Sequence, residues 1–425
     1  MDYDVIIVGA SFAGLAFAHH VPRNKRVLLV DTKPSVGSSV ESTGLITRAT
    51  RKEFAEFFAI DAHLTNPIKS ICVVAPGFEE HFISRVAEPW IFQTDTRGLV
   101  AGLAQALPQN IDVQTGMTFV SSQKTEQGLK IKLRRNGDSF EHTTKLLVGA
   151  DGGRSKVAEA SGLDRNKKFL FGYERVIPGT VKLGENPEET IYHFWFGEFS
   201  LGYGGWLSPT KLDGRPAFRV GLAKFMQDRG EASALTDKFL GILAERGIVE
   251  YDPRDLRGSY MFGGLIPIGG ALRRTVGERT ILIGDAAGYC GAFAADGIKG
   301  AVVSGKEGAK LATAFLDGDA RALRRLPRAM QRHGGLLEYY QRQLRYRFIW
   351  DLMRRDRTFR AMYDVIAAEK DSFLDQFCDN KDKRKSLLRI VLKPRHIGRL
   401  LKYAVFLVFD GLFHVSLTSY FLKIS

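Results

Sequence analysis

Asp4-Val-Ile-Ile-Val-Gly-Ala-Ser-Phe-Ala-Gly14, followed by Val27-Leu-Leu-Val-Asp31, decides the fold. Val5 to Val8 is an apolar run of strand length that stops at Gly9. Leu15-Ala-Phe-Ala18 continues as a helix, and Val27 to Val30 is a second apolar run. Strand, glycine turn, helix and strand make a βαβ unit with the spacing of a dinucleotide fingerprint. Gly9 permits the tight turn, and Gly14 lets the helix approach the strand. The free N–H groups of the helix start face a pyrophosphate. Asp31, at the tip of the second strand, is placed to accept hydrogen bonds from a ribose. Ser11 replaces the usual middle glycine; it is small and can donate a hydrogen bond to the phosphates.

Outward from that unit, 425 residues are enough for two or three domains. A content of 44% hydrophobic and 25% charged residues is that of a globular protein. Cys72, Cys290 and Cys378 are far apart and form neither a metal pattern nor a disulfide framework, so a reducing compartment is expected. The first strand begins at residue 4, so no secretory leader is expected. The net charge is +14. Residues 321–425 hold 23 Lys+Arg and 10 Asp+Glu; 61 less 23 leaves 38 basic residues elsewhere, and 47 less 10 leaves 37 acidic ones. Basicity therefore belongs to the tail, which argues against a nucleic-acid enzyme.

Lys33 to Leu45 is a Gly/Ser-rich loop. Residues 98–107 have helical spacing, and Arg97 stands near that helix start, as a solvated charge or a cofactor contact. Residues 112–120 and 127–134 alternate like strands of a small sheet. Lys145 to Ala150 is a buried strand stopped by Asp151-Gly152, and Ser155 can cap the next helix. Residues 168–224 read as antiparallel strands rich in aromatics, either plain sheet core or an apolar wall for a large hydrophobic substrate. Thr280 to Gly284 is another buried strand; Asp285 follows, and a helix begins near Gly297.

Together these segments resemble the flavoprotein group of aromatic hydroxylases, and within it the geranylgeranyl reductase family. Gly9-Ala-Ser-Phe-Ala-Gly14 resembles the FAD pyrophosphate turn, Gly149-Ala-Asp-Gly-Gly-Arg-Ser155 the Asp-Gly motif near the pyrophosphate, and Gly284-Asp-Ala-Ala-Gly288 the motif that holds the ribityl chain. Gly288 stands where hydroxylases often have His, and Asp296-Gly-Ile298 with Ser304-Gly305 is similar to the reductases' Gly-Glu-Gly-Ile and Ser-Gly. Val36 to Gly44 resembles their flavin-side loop, with Ser42 at the place of a common cysteine. Gly204-Gly-Trp-Leu-Ser-Pro209 resembles their Tyr-x-Trp-x-Phe-Pro motif, matching at Trp206 and Pro209 with Tyr203 shifted by one.

The resemblance implies an α/β fold: a Rossmann-like FAD-binding domain, an inserted antiparallel-sheet substrate domain and a helical C-terminal tail. The expected boundaries are 1–165 with 260–320 for FAD, 166–259 for substrate and 321–425 for the basic tail. It implies cofactor contacts from Gly9, Ser11, Gly14, Asp31, Ser42, Thr43, Arg97, Asp151, Gly152, Gly284, Asp285, Gly297 and Ile298. Tyr203, Trp206 and Pro209 would meet substrate; Ser42, Tyr203 and Trp206 are the catalytic candidates, with Cys290 a further thiol by position. The implied reaction is reduction of carbon–carbon double bonds in an isoprenoid or prenyl lipid. NADPH, NADH or a reduced protein would be the electron source. A flavin monooxygenase or halogenase, or an FAD-containing lipid-binding protein without turnover, are the alternatives.

The tail adds a location. Lys381 to Lys385, Lys393-Pro-Arg395, Arg399 and Lys402 precede Tyr403 to Leu422, an aromatic-rich segment of membrane-spanning length. Asp410 and His414 near its middle and Gly411 disfavour a span. The segment is expected either to pack as a helix on the substrate domain or to attach a cytoplasmic enzyme peripherally to a membrane.

Overall fold

The computed structural model describes residues 1–182, 191–200, 202–212, 214–226, 231–377 and 392–421. They form two compact units. The first is built from 1–64, 94–169 and 265–344, the second from 65–93, 170–264 and 345–425.

The first unit is built on its parallel strands. Tyr3–Val8 pairs in parallel with Val27–Asp31 on one side and with the end of Asp138–Gly149 on the other. Ile111–Thr115 extends the sheet beyond Val27–Asp31, and Thr280–Leu282 lies beside Leu147 to Gly149. Val5, Val27 to Val30, Leu146 to Val148 and Ile281 to Ile283 are all completely buried. Apolar residues on both faces are what a covered parallel sheet requires. Leu129–Arg135 and Thr118–Lys124 add an antiparallel meander. The expected 112–120 strand is thus two strands, because Gly116 turns between them at a φ of 67°. Two helices cover the sheet's centre, Phe12–His20 and Gly297–Leu316. Gly305 makes their contact possible: a Cβ there would lie 2.6 Å from the Ala13 carbonyl oxygen.

The second unit is a seven-stranded sheet. Its order is Tyr260–Pro267, Phe169–Pro178, Arg215–Phe225, Gly202–Leu212, Ile191–Trp195, Ser70–Val74, His81–Arg85. The expected antiparallel pairing is found except that Ile191–Trp195 runs parallel to Ser70–Val74. One face carries Cys72, Ile191, Trp195, Leu207, Phe218 and Val220 against Phe239, Leu240 and Leu243 of the helix Ala232–Glu245.

The units correct the expected boundaries. Residues 65–93 fall in the second unit, because Ser70–Val74 pairs with Ile191–Trp195 across more than a hundred residues, which no local pattern announces. The tail is divided: 321–344 belongs to the first unit and 345–425 to the second.

The terminal helix, Ile397–Phe421, packs in the second unit beside Asp356–Ala367. Asp410 is 4% exposed. It accepts hydrogen bonds from Arg357 Nη2 at 2.8 Å, the Thr358 hydroxyl and the Arg354 N–H. A charge that counts against a membrane span is thereby accounted for as a packing anchor. A second anchor is Glu369, which accepts from Lys393, Arg395 and His396. Burial pushes its carboxyl up, but those donors outweigh burial and bring it down to about 2. Among the described residues no helix is long and apolar enough to cross a membrane. Lys381 to Lys385, Cys378 and Leu422 lie outside the described residues, as do the side chains from 411 to 421, His414 among them.

Candidate active site

The first turn is shaped around the backbone. Gly9 has a φ of 107°, and a Cβ there would sit 2.3 Å from the Ala150 carbonyl oxygen. A Cβ on Gly14 would sit 1.9 Å from the Gly9 carbonyl oxygen. Ser11 is the N-cap of the helix Phe12–His20, yet its side chain makes no capping hydrogen bond. The first N–H groups of that helix are left to an anion, and the Ser11 hydroxyl stands beside them. Asp31 Oδ2 accepts from the Ala10 N–H at 2.7 Å, and Oδ1 from the Lys33 N–H at 2.8 Å. These bonds fix the carboxylate at the strand tip.

Asp151 has a different task. Its oxygens accept from the Ser155 hydroxyl at 2.6 Å and the Val157 N–H at 3.1 Å, while Ser155 caps Ala158 as expected. The carboxylate braces the next helix, and only the backbone around Ala150 and Asp151 borders Gly9. Gly152, at a φ of 76°, makes the turn between them.

The loop with Ser42 is held from below. Ser42 Oγ accepts from the Gly44 N–H at 3.2 Å, and the Thr94 hydroxyl donates to the Gly44 carbonyl at 2.9 Å. Arg97, two residues past the N-cap Asp95 of the helix Thr96–Gln105, donates through Nε to the Gly37 carbonyl at 3.4 Å. Arg97 is exposed, and Ser42 and Thr43 are half-buried.

At the same carboxyl end of the parallel strands, past Thr280–Leu282, Gly284 turns at a φ of 58° and donates its N–H to the buried Ser304 hydroxyl at 2.8 Å. Asp285 follows. Its carbonyl is held by Asn166 Nδ2 at 2.8 Å, whereas burial alone acts on its carboxyl and pushes it up to about 6. That carboxyl faces the start of the helix Gly297–Leu316: a Cβ on Gly297 would be 3.0 Å from Oδ1. Cys290 lies there too, and burial followed by the neighbouring Asp285 and Asp296 raises its thiol well above the usual range. It stays protonated and is a poor acid.

A cluster absent from the sequence reading fixes the approach to Gly297 and Ile298. Gln343 Oε1 accepts from the Phe293 and Ala294 N–H groups at 2.9 and 2.8 Å, and its Nε2 donates to Asp296 Oδ1 at 3.3 Å. The Tyr339 hydroxyl donates to Asp296 Oδ2. Ala295 is held at a φ of 54°, uncommon for a residue with a side chain. Nothing local signals Gln343, since it acts from a helix some 50 residues later.

FAD fits these residues on two observations. The Gly9 and Gly14 cradle would be filled by any Cβ, and the raised Asp285 carboxyl calls for hydroxyl donors such as a ribityl chain provides. The helix start at Gly297 offers partial positive charge to the flavin ring.

In the second unit, Trp206 is 6% exposed and lies flat across Gly221, where a Cβ would be 2.5 Å from the indole. Its Nε1–H donates to Glu174 Oε2 at 2.6 Å. Glu174 is 1% exposed; burial pushes its carboxyl up although Arg219, 3.5 Å away, and Trp206 favour the charge. Phe194 pairs in register with Trp206 and Ser208 with Arg219, so all belong to the sheet face away from Ala232–Glu245. Gln93 donates to the Ser208 hydroxyl at 2.6 Å and the Pro209 carbonyl at 3.1 Å. Trp206 lies on that face, whereas Pro209, paired with Phe218, belongs to the face toward Ala232–Glu245, so the two expected substrate contacts are not on one side of the sheet. Tyr203 lies on the same strand, and its side chain is outside the described residues.

A family model described as an FAD binding domain matches residues 80–236. The chain is 27% identical to a digeranylgeranylglycerophospholipid reductase of Methanococcus vannielii, over 70% of this chain and 73% of that one. In fold it is similar to a geranylgeranyl bacteriochlorophyll reductase-like protein of Thermoplasma acidophilum, with a TM-score of 0.74 at 17% identity, over 94% and 98% of the two chains. It is also similar to a p-nitrophenol 4-monooxygenase of Pseudomonas putida, with a TM-score of 0.65 at 15% identity, over 91% and 97%. With the three glycine-marked turns in one unit, the chain is similar in sequence and in fold to FAD-dependent oxidoreductases of the geranylgeranyl reductase family.

Proposed function

We propose that this flavoprotein reduces carbon–carbon double bonds in the isoprenoid chain of a prenyl lipid. FAD held at this site would supply hydride chemistry for the alkene, with NADPH, NADH or a reduced protein as the electron source and a proton completing the bond. The chain's own part is to bind, orient and exclude water. Gly9, Ser11 and Gly14 would hold the pyrophosphate, Asp31 the adenosine ribose and Asp285 the ribityl hydroxyls. Gln343 and Asp296 keep Gly297 and Ile298 in place against the ring. The observation that carries the substrate class is the face bearing Phe194 and Trp206. Its buried carboxylate, Glu174, is engaged by the indole and Arg219, so an apolar chain against this face would meet rings and a neutralised acid. Ser42 and Tyr203 remain the proposed neighbours of the reacting carbons. A lipid substrate also suggests that the enzyme works as a cytoplasmic protein peripheral to a membrane.

The fold shared with a monooxygenase favours a second reading, oxygenation of a hydrophobic substrate. Dithionite-reduced enzyme mixed anaerobically with a polyprenyl lipid separates them. Reductase activity reoxidises the flavin and adds about 2 Da per bond, one hydrogen pair. Oxygen incorporation in air without anaerobic turnover would replace this proposal by the monooxygenase, and absence of both by a lipid-binding protein.

A further inference from the structure

We propose that the outward face of the terminal helix Ile397–Phe421 is the surface by which this protein lies on an anionic lipid bilayer. This extends the lipid-surface part of the proposed function by naming the docking face. Ile397, Leu401, Val405, Val408 and Phe409 are each more than half exposed, at 57, 63, 51, 59 and 51%. Their spacing of four, four, three and one residues puts them on one stripe, and the exposed Gly398 and Ala404 lie within it. A stripe of large apolar side chains along three turns is not a scatter of single surface residues.

The helix cannot roll to hide it. Asp410, on the opposite side, is held by Arg357, Thr358 and the Arg354 N–H. Lys393, Arg395 and His396, at the helix entry, are held by Glu369. Turning the stripe inward would bring Asp410 out of its site and leave those donors without their acceptor. Both anchors therefore fix which face looks outward.

Charge selects the occupant. Lys402 is exposed at the edge of the stripe and lies over the Phe406 ring at 5.8 Å from its centre, and Arg399, one turn before it, is exposed on the flank toward Asp410. The sequence from 321 onward carries 23 basic against 10 acidic residues. Joining two copies through this face would bring like charges together, whereas anionic head groups neutralise them. An apolar stripe edged by basic residues is the pattern of a helix lying in the plane of a bilayer interface.

The test uses the full, FAD-loaded chain with vesicles of equal parts phosphatidylcholine and phosphatidylglycerol, and with phosphatidylcholine alone. The protein should sediment with the anionic vesicles and much less with the neutral ones. Leu401→Asp with Val405→Asp should lower the bound fraction at least about tenfold, because the stripe no longer enters the interface. Arg399→Glu with Lys402→Glu should abolish the preference for anionic lipid. These side chains are exposed, so flavin content and far-ultraviolet circular dichroism should stay as in the parent. Sedimentation of the Leu401/Val405 variant equal to the parent overturns the proposal. So does a vesicle-free dimer that the same variant dissociates, which would assign the face to a second copy. Flavin reoxidation by prenyl lipid in detergent is measured separately, so loss of vesicle binding and loss of the reductase reading are told apart.

Discussion

Asp285 and Glu174 are two deep carboxylates with opposite surroundings, one in each unit. Burial raises both. Glu174 has answered that burial internally, with an indole N–H at 2.6 Å and a guanidinium at 3.5 Å. Asp285 is pushed by burial alone, to about 6, and only its backbone carbonyl is tied down. A buried acid with protein donors is architecture; one raised by burial alone is poised for donors from outside the chain. The same contrast separates the units. In the first unit the starts of Phe12–His20 and Gly297–Leu316 carry no side-chain cap and border backbone cradles, whereas in the second Glu174 is closed in by an indole and a guanidinium.

The strongest way to break the comparison is to fill the cradle. Gly9→Ala places a methyl group against the Ala150 carbonyl at a φ of 107°, so the purified protein should be nearly colourless while the second unit keeps its fold. Full flavin absorbance in that variant would mean that the turn is not the pyrophosphate site.

A middle-sized effect tests the poised acid. Asp285→Asn should weaken FAD binding by about 1–3 kcal/mol, the value of a hydrogen bond to a charged acceptor. The sign with pH follows from the raised carboxyl. The folded, flavin-free protein holds this proton up to about pH 6, whereas the unfolded chain releases it near pH 3.9. Its stability contribution is thus full at low pH and is lost as pH rises through about 6. Ribityl hydroxyls favour the ionised form, so FAD affinity should rise between about pH 5 and 7, roughly tenfold for each unit by which binding lowers the acid. Fluorescence titrations of Asp285→Asn should give a flat profile, and a slope equal to the parent's would remove Asp285 from the ribityl site.

The smallest effect sharpens the other side. Glu174→Gln keeps a carbonyl acceptor for the Trp206 N–H, so thermal stability should change by no more than about 1 kcal/mol. FAD content should not change. A loss of flavin comparable to that of Asp285→Asn would show that Glu174 is not merely architectural.

Much of the first unit was legible because its chemistry sits at chain reversals. Glycines mark Gly9, Gly14 and Gly284, and acids mark strand ends at Asp31 and Asp285, so local order carries the pattern. The motif marks Asp151 as a cofactor neighbour, and the bracing of a helix by its carboxylate is not legible there, because a motif fixes backbone position without fixing side-chain partners. Glu174 was not legible at all. Its burial depends on Gly221 and Trp206 arriving from two other strands, and a lone Glu in an alternating run reads as solvent-facing. Asp410 was read as a flaw in an apolar helix; its partners, Arg357 and Thr358, lie some 50 residues earlier.

The close fit of Gly305 against Ala13 sets a timetable for synthesis. The strand Tyr3–Val8 is made well before its partners: the strand Thr280–Leu282 and the helix that covers Phe17 follow nearly three hundred residues later. In between, the chain makes most of a second unit. Pairing over such separations is slow, and domains that wait for distant segments expose apolar surface meanwhile. The helix Phe12–His20 therefore keeps apolar surface uncovered until residue 305 has been made, and the flavin cradle is complete only once Gly297 is in place.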